Sequence, residues 1–584
     1  MSHGLRRCDI SRRDNGAGEG RVVTGDGIAT DLVVLGSGAG GLTAALTAAL
    51  AGLRVVVLEH ADRIGGTSAR SSGTVWVPDN PYLRAEGVRD DGERAALYLA
   101  SLVGDRGTEA MWRAFLAAAP AMVEALDRDA GIRFRPYRTA PDYRQDQPGA
   151  ATGGRALEPL PFDGRLLGAE FGRLAAPLPE LMLFGGMMIT RGEAASLLRA
   201  DRSLSGFLLG ARLVLRYGLD RLRHPRGTRL VLGNALVARL LKAGLDRGVT
   251  VRTGVTATRL LREGGRVTGV AAVGEGGRPL TVTAARGVVL AGGGFPSGAA
   301  WRQRHLPEPV PAHSPAAPGC DGSTLDLALE AGAVLGPSGL DNALWFPSSI
   351  ATRADGSTAV YPHIVLDRAK PGAIAVDRGG RRFVNEAVSY HEFVRAMYRT
   401  RGNDGEVAVW LVCGRDFIRR YGLGLIRPRT PVLRRYVESG YLVEARDAAD
   451  LARRIGVPAD ALADTLARYD RAAAQGLDDQ FGKGGNAYDR SNGDPAIRPN
   501  PCVAPVGAPP YYAVRLVPTP LGTSRGLATD TSARALDAAG GVIPGLYACG
   551  NDMQSVFGGE YPGAGAQLGQ AMTFAWLAAR DAAG

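Results

Sequence analysis

Cysteine is scarce in this sequence, and its placement excludes more than its number does. Cys8, Cys320, Cys413, Cys502 and Cys549 lie far apart, are odd in count and are never spaced as C-x-x-C. That pattern argues against a disulfide framework or a cysteine zinc site and suits a reducing compartment, so a cytoplasmic protein is expected. The 7 histidines are dispersed, with no pair at ligand spacing on a helix, so no metal is expected. No apolar run approaches roughly 18 residues, which leaves no candidate spanning helix, and no fixed period marks a repeat array. Acidic residues fall short of basic ones, 58 against 69, for a formal net charge of +11. Aromatic residues are not interleaved with the basic ones as stacking on bases requires, so the charge reads as a solvated Arg-rich surface and no nucleic-acid partner is expected.

What the chain has in abundance is glycine, 81 of 584 residues, gathered in short motifs where backbone must approach a ligand closely. The length exceeds what one hydrophobic core supports, so more than one domain is expected. Residues 1–28 are polar and rich in Gly and Arg and read as a disordered tail. Arg12-Arg13 within it lacks the apolar stretch that an export signal needs.

Residues 31–35, DLVVL, form a short run of strand formers, followed by Gly36-Ser37-Gly38-Ala39-Gly40-Gly41, an Ala- and Leu-rich helical stretch, and a second apolar strand ending at Glu59. Strand, glycine turn, helix, strand and acid in this order make a dinucleotide-binding unit. Gly36 permits the tight turn, Gly38 lets backbone reach a pyrophosphate, and Gly41 lets helix and strand pack closely. The helix N-terminus at Ala39 and Gly40 then offers free N–H groups to phosphate, and Glu59 is placed to accept from ribose hydroxyls.

After Glu59, Gly65-Gly66-Thr67-Ser68 supplies a second glycine turn with hydroxyls, suited to wrapping a flavin's pyrophosphate and ribityl chain. It resembles the GG-S/T stretch of the fumarate reductase-like flavoproteins. Residues 249–258 with Val255 and the closing Gly545-Leu546-Tyr547-Ala548-Cys549-Gly550-Asn551 resemble further cofactor-facing segments of that group, while residues 287–295 read as a buried strand ending in glycines that marks the exit from the first FAD segment, with Gly293 expected at the cofactor. Gln567 and Leu568 join the set expected to hold the cofactor, FAD. The implied fold is α/β: a discontinuous Rossmann-like FAD-binding domain, roughly 29–300 and 505–584, with an inserted α+β substrate-capping domain at 301–504. Gly380 to Glu386 matches the G-x-R-F-x-N-E stretch, which makes Asn385 and Glu386 candidates for flavin contacts or, equally, for a capped turn.

The most specific resemblance is to the 3-ketosteroid Δ1-dehydrogenases. It is carried by Pro141-Asp142-Tyr143 with Gly153-Gly154-Arg155, by Arg382-FVNEAVS-Tyr390-HEF, and by Glu560-Tyr561-Pro562-Gly563-Ala564-Gly565-Ala566-Gln567-Leu568-Gly569. The resemblance implies that Tyr561 and the Gly565 N–H bind the substrate ketone oxygen, that Tyr390 takes the α-proton with help from Tyr143, and that the β-hydrogen leaves as hydride to the flavin N5. A 3-ketosteroid and an electron acceptor are the implied partners. Ala564, Arg144 and Ser389 depart from the family pattern. Rival readings are a fumarate reductase-like enzyme, which would need an arginine acid near Tyr390; a Δ4-(5α)-ketosteroid dehydrogenase, which would carry serine at Gly563; and a flavin-binding redox protein without turnover.

The segment 165–230 lengthens the chain relative to compact relatives. Its stretch RSLSGFLLGARLVLRYGLDRLRHPRG reads either as a helix packed on the body with its Arg residues in water or as a basic amphipathic helix lying on a membrane face.

Overall fold

A computed structural model describes residues 26–88, 91–197, 203–364 and 366–584. The expected tail falls outside the described residues through residue 25, as does Cys8, and the first strand already begins at Asp26.

That strand, Asp26–Leu35, is central in a mixed sheet whose main path runs Arg534–Leu536, Val542–Ala548, Pro279–Leu290, Asp26–Leu35, Val55–Glu59, Thr250–Thr253. It pairs in parallel with a neighbour on each side, Leu32 to Leu35 matching Val55 to Leu58 on one edge and Gly287 to Leu290 on the other. A strand covered on both faces needs an unbroken apolar run, which is why DLVVL and VVVL lack the polar alternation of a half-exposed strand. The helix Ala39–Leu50 leaves the first strand through the glycine turn and packs against Ala566–Ala583 and Leu232–Leu245. Its Ala, Gly and Thr surface allows the close approach: a β-carbon on Gly40 would lie 3.3 Å from the Cys549 sulfur.

A second sheet, of antiparallel strands, runs Thr358–Pro362, Ala343–Thr352, Tyr511–Thr523, Val409–Gly414, Ala373–Asp377. Tyr511–Thr523 lies inside the stretch expected to be the second FAD segment, yet it pairs with Ala343–Thr352 and Val409–Gly414. The chain therefore rejoins the first sheet only after Thr523, by way of Arg534–Leu536. Nothing local distinguishes a strand of one buried sheet from a strand of the other, because pairing partners are set by topology.

The segment 165–230 contains the helices Arg191–Leu197 and Leu204–Arg221. Among the described residues no helix is long and apolar enough to cross a membrane, and no cluster of metal-ligating side chains is present.

Candidate active site

The two glycine turns meet at the carboxyl end of the first sheet. Gly36 takes φ +103, and its N–H donates to the Leu58 carbonyl at 2.8 Å, closing the turn onto the second strand. Glu59 sits at that strand's end. One carboxylate oxygen accepts from the Ser37 N–H at 2.9 Å and the Ser37 hydroxyl at 2.5 Å, and the other accepts from the Ala61 N–H at 2.9 Å. The Ser37 hydroxyl also accepts from the Gly65 N–H at 2.9 Å. Ser37, which the sequence motif treats as a spacer, thus joins both turns and the acid. The Ser68 hydroxyl accepts from the Ala39 N–H at 3.0 Å, at the helix end where phosphate is expected. Thr67 accepts from the Ala317 N–H at 2.9 Å, tying the same loop to the far wall, and Gly66 takes φ +49 within it. Val255 is buried and donates its N–H to the Glu59 carbonyl at 3.0 Å, which puts the 249–258 segment beside the acid.

The other wall is built from the chain's last segment. Asp552, fully buried, accepts from the N–H groups of Gly292 and Gly294, each at 2.7 Å, and so fixes the loop that carries Gly293. Gly550 turns the chain at φ +65. The Asn551 amide donates to Gly293 O and to the Gln567 side chain, both at 3.4 Å, and Gln567 donates to the Tyr561 hydroxyl at 3.3 Å. A cavity opens here, lined by Thr523, Asn551, Tyr561 and Gln567. Thr523 presents a buried hydroxyl without a hydrogen-bond partner to this space. Leu568, half-buried, follows Gln567 on the same helix.

These features fit a dinucleotide with a polar ring system. The turns are shaped so that any side chain would collide: a β-carbon on Gly41 would run into the Gly36 carbonyl, and one on Gly36 into the Ala291 carbonyl. Glycine is required at both, which keeps the phosphate-facing backbone bare.

Beyond Tyr561 lies a cluster of tyrosines. The hydroxyls of Tyr143 and Tyr390 are 2.8 Å apart. The Tyr561 ring stands perpendicular to Tyr390 with centroids 5.4 Å apart and lies 5.3 Å from Tyr143. Tyr488, which sequence reasoning missed, packs edge-on against Tyr143 at 4.9 Å, and Phe346 closes the far side of Tyr390 at 4.6 Å. Burial, reinforced by the Tyr143 and Tyr561 phenols, holds Tyr390 well above its ordinary pKa, and burial likewise raises that of Tyr561.

Each tyrosine is held by a different element. Tyr390 opens the helix Tyr390–Arg399. Ser389 is its N-cap, accepting from the Glu392 N–H at 3.3 Å, so the departure from proline trades ring rigidity for a capping bond. Tyr143 is fixed through its neighbour: buried Asp142 accepts from Arg155 at 2.6 Å and from the Trp76 indole at 2.9 Å, and Arg155 continues to Asp91. The Tyr143 N–H donates to Pro562 O at 2.9 Å, which joins the first tyrosine to the loop of the third. Gly565 precedes the helix Ala566–Ala583 with φ +91, and a β-carbon there would strike the Thr74 carbonyl. Gly563 lies under Trp76, where a β-carbon would come 2.6 Å from the indole nitrogen. A serine at that place would need the tryptophan to move.

Asn385 and Glu386, expected either as flavin contacts or as a capped turn, make protein contacts, and the Asn385 side-chain oxygen accepts from the Ala387 N–H at 2.8 Å. Glu386 is fully buried between Arg382, at 2.9 Å, and Lys483, at 3.2 Å, and also accepts from the Ala375 N–H at 3.1 Å. Burial opposes its charge, but Arg382 and Lys483 outweigh burial and hold its carboxyl below the usual range. Asn385 donates to Asp489 at 2.8 Å, beside Tyr488. The motif therefore ties the segment leading to Tyr390 to the one carrying Tyr488. A polar pair in a glycine turn has the same sequence signature whether its partners are protein or cofactor.

Residues 31–568 match the family described as FAD binding domain. The chain is 36% identical to a 3-oxosteroid 1-dehydrogenase of Mycobacterium tuberculosis, over 94% of this chain and 97% of that one. It is 35% identical to a 4-oxocyclohex-2-ene-1-carboxylate 5-dehydrogenase of Sinomonas cyclohexanicum, over 95% and 94%. Its fold superimposes on a 3-ketosteroid Δ1-dehydrogenase of Sterolibacterium denitrificans, solved with 1,4-androstadiene-3,17-dione, at a TM-score of 0.89 and 37% identity, covering 95% of this chain and 99% of that one. FAD is the cofactor the cleft is built for, and the chain belongs to the 3-ketosteroid Δ1-dehydrogenase family of flavoproteins.

Proposed function

We propose that this protein introduces the C1–C2 double bond into a 3-ketosteroid. The observation that carries the reading is the hydrogen-bonded Tyr143–Tyr390 pair set against Tyr561 and Gly565 at the end of the FAD cleft. Tyr561 and the Gly565 N–H donate to the ketone oxygen, and this stabilises negative charge as the α-carbon loses its proton. Tyr390 takes that proton at its hydroxyl oxygen, and Tyr143 shares it across the 2.8 Å contact. The surrounding aromatic side chains exclude water from the developing charge. Bound FAD supplies the two-electron oxidant for the β-hydrogen, with the Gly36–Gly41 and Gly65–Ser68 turns, Glu59, Asn551 and Gln567 holding it.

The arginine that a fumarate reductase-like mechanism needs is not free here. Arg395, on the Tyr390 helix, is bound by Asp341 at 2.8 Å and Glu560 at 2.9 Å, and Arg144 is engaged by Asp146 at 2.7 Å. The same pairing disfavours a small carboxylate-bearing ketone, which would want an uncommitted cation. Purified holoenzyme with androst-4-ene-3,17-dione is expected to reduce an electron-accepting dye, and 4-oxocyclohexanecarboxylate to do so far more slowly. Dye that stays oxidised across a panel of 3-ketosteroids rejects the steroid reading, and faster turnover of the carboxylate reassigns the substrate.

We further propose that the helix Leu204–Arg221 rests on an anionic membrane surface, from which a poorly soluble steroid is drawn. Leu204 is 75% exposed, Leu215 67% and Leu222 79%, with Phe207, Leu208 and Leu219 also exposed. Such a contiguous apolar patch is uncommon on a protein surface that faces only water, and exposed Arg212, Arg221 and Arg223 accompany it. The protein is expected to co-sediment with vesicles containing phosphatidylglycerol, less so as salt rises. Changing Leu204, Phe207, Leu208 and Leu215 to serine should leave it in the supernatant; a wild-type protein that does not sediment defeats this placement.

A further inference from the structure

Tyr561 is flanked by two residues that take no part in the proton and hydride transfers above. Glu560, before it, is buried, and its two carboxylate oxygens are bound by Arg395 at 2.9 Å and Arg106 at 3.4 Å. Arg395 stands on the helix that Tyr390 opens, and it also donates to Gly559 O at 3.2 Å. Pro562, after it, presents a carbonyl that accepts twice, from the Tyr143 N–H at 2.9 Å and from the Tyr98 hydroxyl at 2.7 Å. Tyr98 is fully buried on the helix Asp91–Val103, and its hydroxyl accepts in turn from the Arg144 N–H at 3.3 Å. One hydroxyl therefore touches both the residue that follows Tyr143 and the residue that follows Tyr561.

We infer that Glu560 and Tyr98 are positioning residues that triangulate the three tyrosines: Glu560 holds Tyr561 to the Tyr390 helix, and Tyr98 holds it to the Tyr143 loop. The inference rests on the dehydrogenase reading above. Tyr390 and Tyr143 are joined hydroxyl to hydroxyl at 2.8 Å, so the two clamps close the other two sides of the triangle. The loop they act on has little stiffness of its own, because Gly563 and Gly565 follow Pro562. It is anchored instead at the Pro562 carbonyl and at Gly565 O, which accepts from the Trp76 N–H at 3.1 Å. Tyr561 and the Gly565 N–H locate the ketone oxygen, and Tyr390 must then meet the α-carbon. A sideways shift of Tyr561 against Tyr390 lengthens either the hydrogen bond to the developing oxyanion or the path of the proton. Both contacts matter most in the transition state, whereas a steroid binds largely through its apolar area, so a slack clamp lowers rate more than affinity. The clamps can be loosened without stranding a buried cation: without Glu560, Arg395 keeps Asp341 at 2.8 Å and Glu392 at 3.0 Å. Phenylalanine in place of Tyr98 keeps the ring beside Trp76.

The test is anaerobic flavin bleaching by androst-4-ene-3,17-dione in wild type, Y98F, E560A and E560Q holoenzymes, with rates taken per bound FAD. Y98F and E560A should each lower the limiting rate about tenfold or more. The half-saturating steroid concentration and the FAD content should stay within about twofold of wild type. Deuterium at the steroid's α-carbon should slow both variants more than it slows wild type, since proton removal becomes the harder step. Glutamine keeps a hydrogen-bond acceptor for Arg395, so E560Q should recover most of the rate that E560A loses. An unchanged limiting rate in either Y98F or E560A, no recovery in E560Q, or a loss of rate matched by loss of steroid affinity and FAD, overturns the inference. If Y98F does not fold, E560A against E560Q decides it. If wild type is not bleached by any 3-ketosteroid, the functional reading fails instead. Fluorine NMR of enzyme carrying 3-fluorotyrosine in place of Tyr561 then decides the positioning alone: it stands if E560A and Y98F shift or split the resonance while E560Q leaves it in place, and falls if all four spectra coincide.

Discussion

Tyr390→Phe is expected to abolish steroid dehydrogenation, by about 10²–10⁴-fold in kcat, while the purified protein stays yellow. The substitution keeps the ring that packs against Phe346 and Tyr561 and removes only the hydroxyl bonded to Tyr143. Loss of one such bond costs about 1 kcal/mol of stability, so the fold should survive. None of the hydrogen bonds that close the glycine turns involves Tyr390, so FAD content should match wild type. A colourless protein would mean that Tyr390 holds the cofactor, and substantial residual turnover would move the base to Tyr143. The same residue predicts a pH dependence. Burial, with the Tyr143 and Tyr561 phenols, raises the Tyr390 pKa well above its ordinary value of 10.0. The proton-accepting form is therefore scarce at neutral pH and grows as pH rises, so kcat/KM should climb through the alkaline range without a neutral plateau. A flat profile between about pH 7 and about pH 9 would show that another group takes the proton.

The parts of this molecule that were legible in the sequence are those made locally. The strand, glycine turn, helix and strand from Asp31 to Glu59 stand where the spacing put them, because a turn of fixed length between two buried elements has few solutions. Tyr143, Tyr390 and Tyr561 converge, although 418 residues separate the first from the last (561 minus 143). No local rule supplies that convergence; it came from resemblance to a family whose motifs occur at these positions. What stayed hidden is long-range pairing. Tyr511–Thr523 joined the second sheet, Tyr488 entered the cluster from a short helix, and Asn385 and Glu386 found protein partners 104 and about 100 residues away. In each case the residue type signalled a polar or aromatic role, and only the fold could say with whom.

The same distinction sharpens the second large expected effect. Gly41→Ala should yield apoprotein, its FAD-to-protein ratio down at least about tenfold, and with it all activity. Alanine is the better helix former by about 1 kcal/mol, and Gly41 lies inside the helix Ala39–Leu50, so on local preference alone the change should stabilise. Packing decides the other way. The added methyl would run into the Gly36 carbonyl and sit 3.3 Å from a Val34 methyl, so either the helix withdraws from the first strand or the turn opens. Both displace the Ala39 N–H, Ser37 and Glu59 together, since Ser37 links the acid to the second turn. Gly52→Ala is the control. It imposes φ +85 on alanine at the far end of the same helix, where no atom lies within 4 Å of the new methyl. It should cost about 1 kcal/mol of stability and leave FAD bound. If Gly41→Ala retained full FAD while Gly52→Ala lost it, cofactor binding would follow the helix's stability rather than the bare backbone of the turn, and the cleft's assignment residue by residue would have to be redrawn.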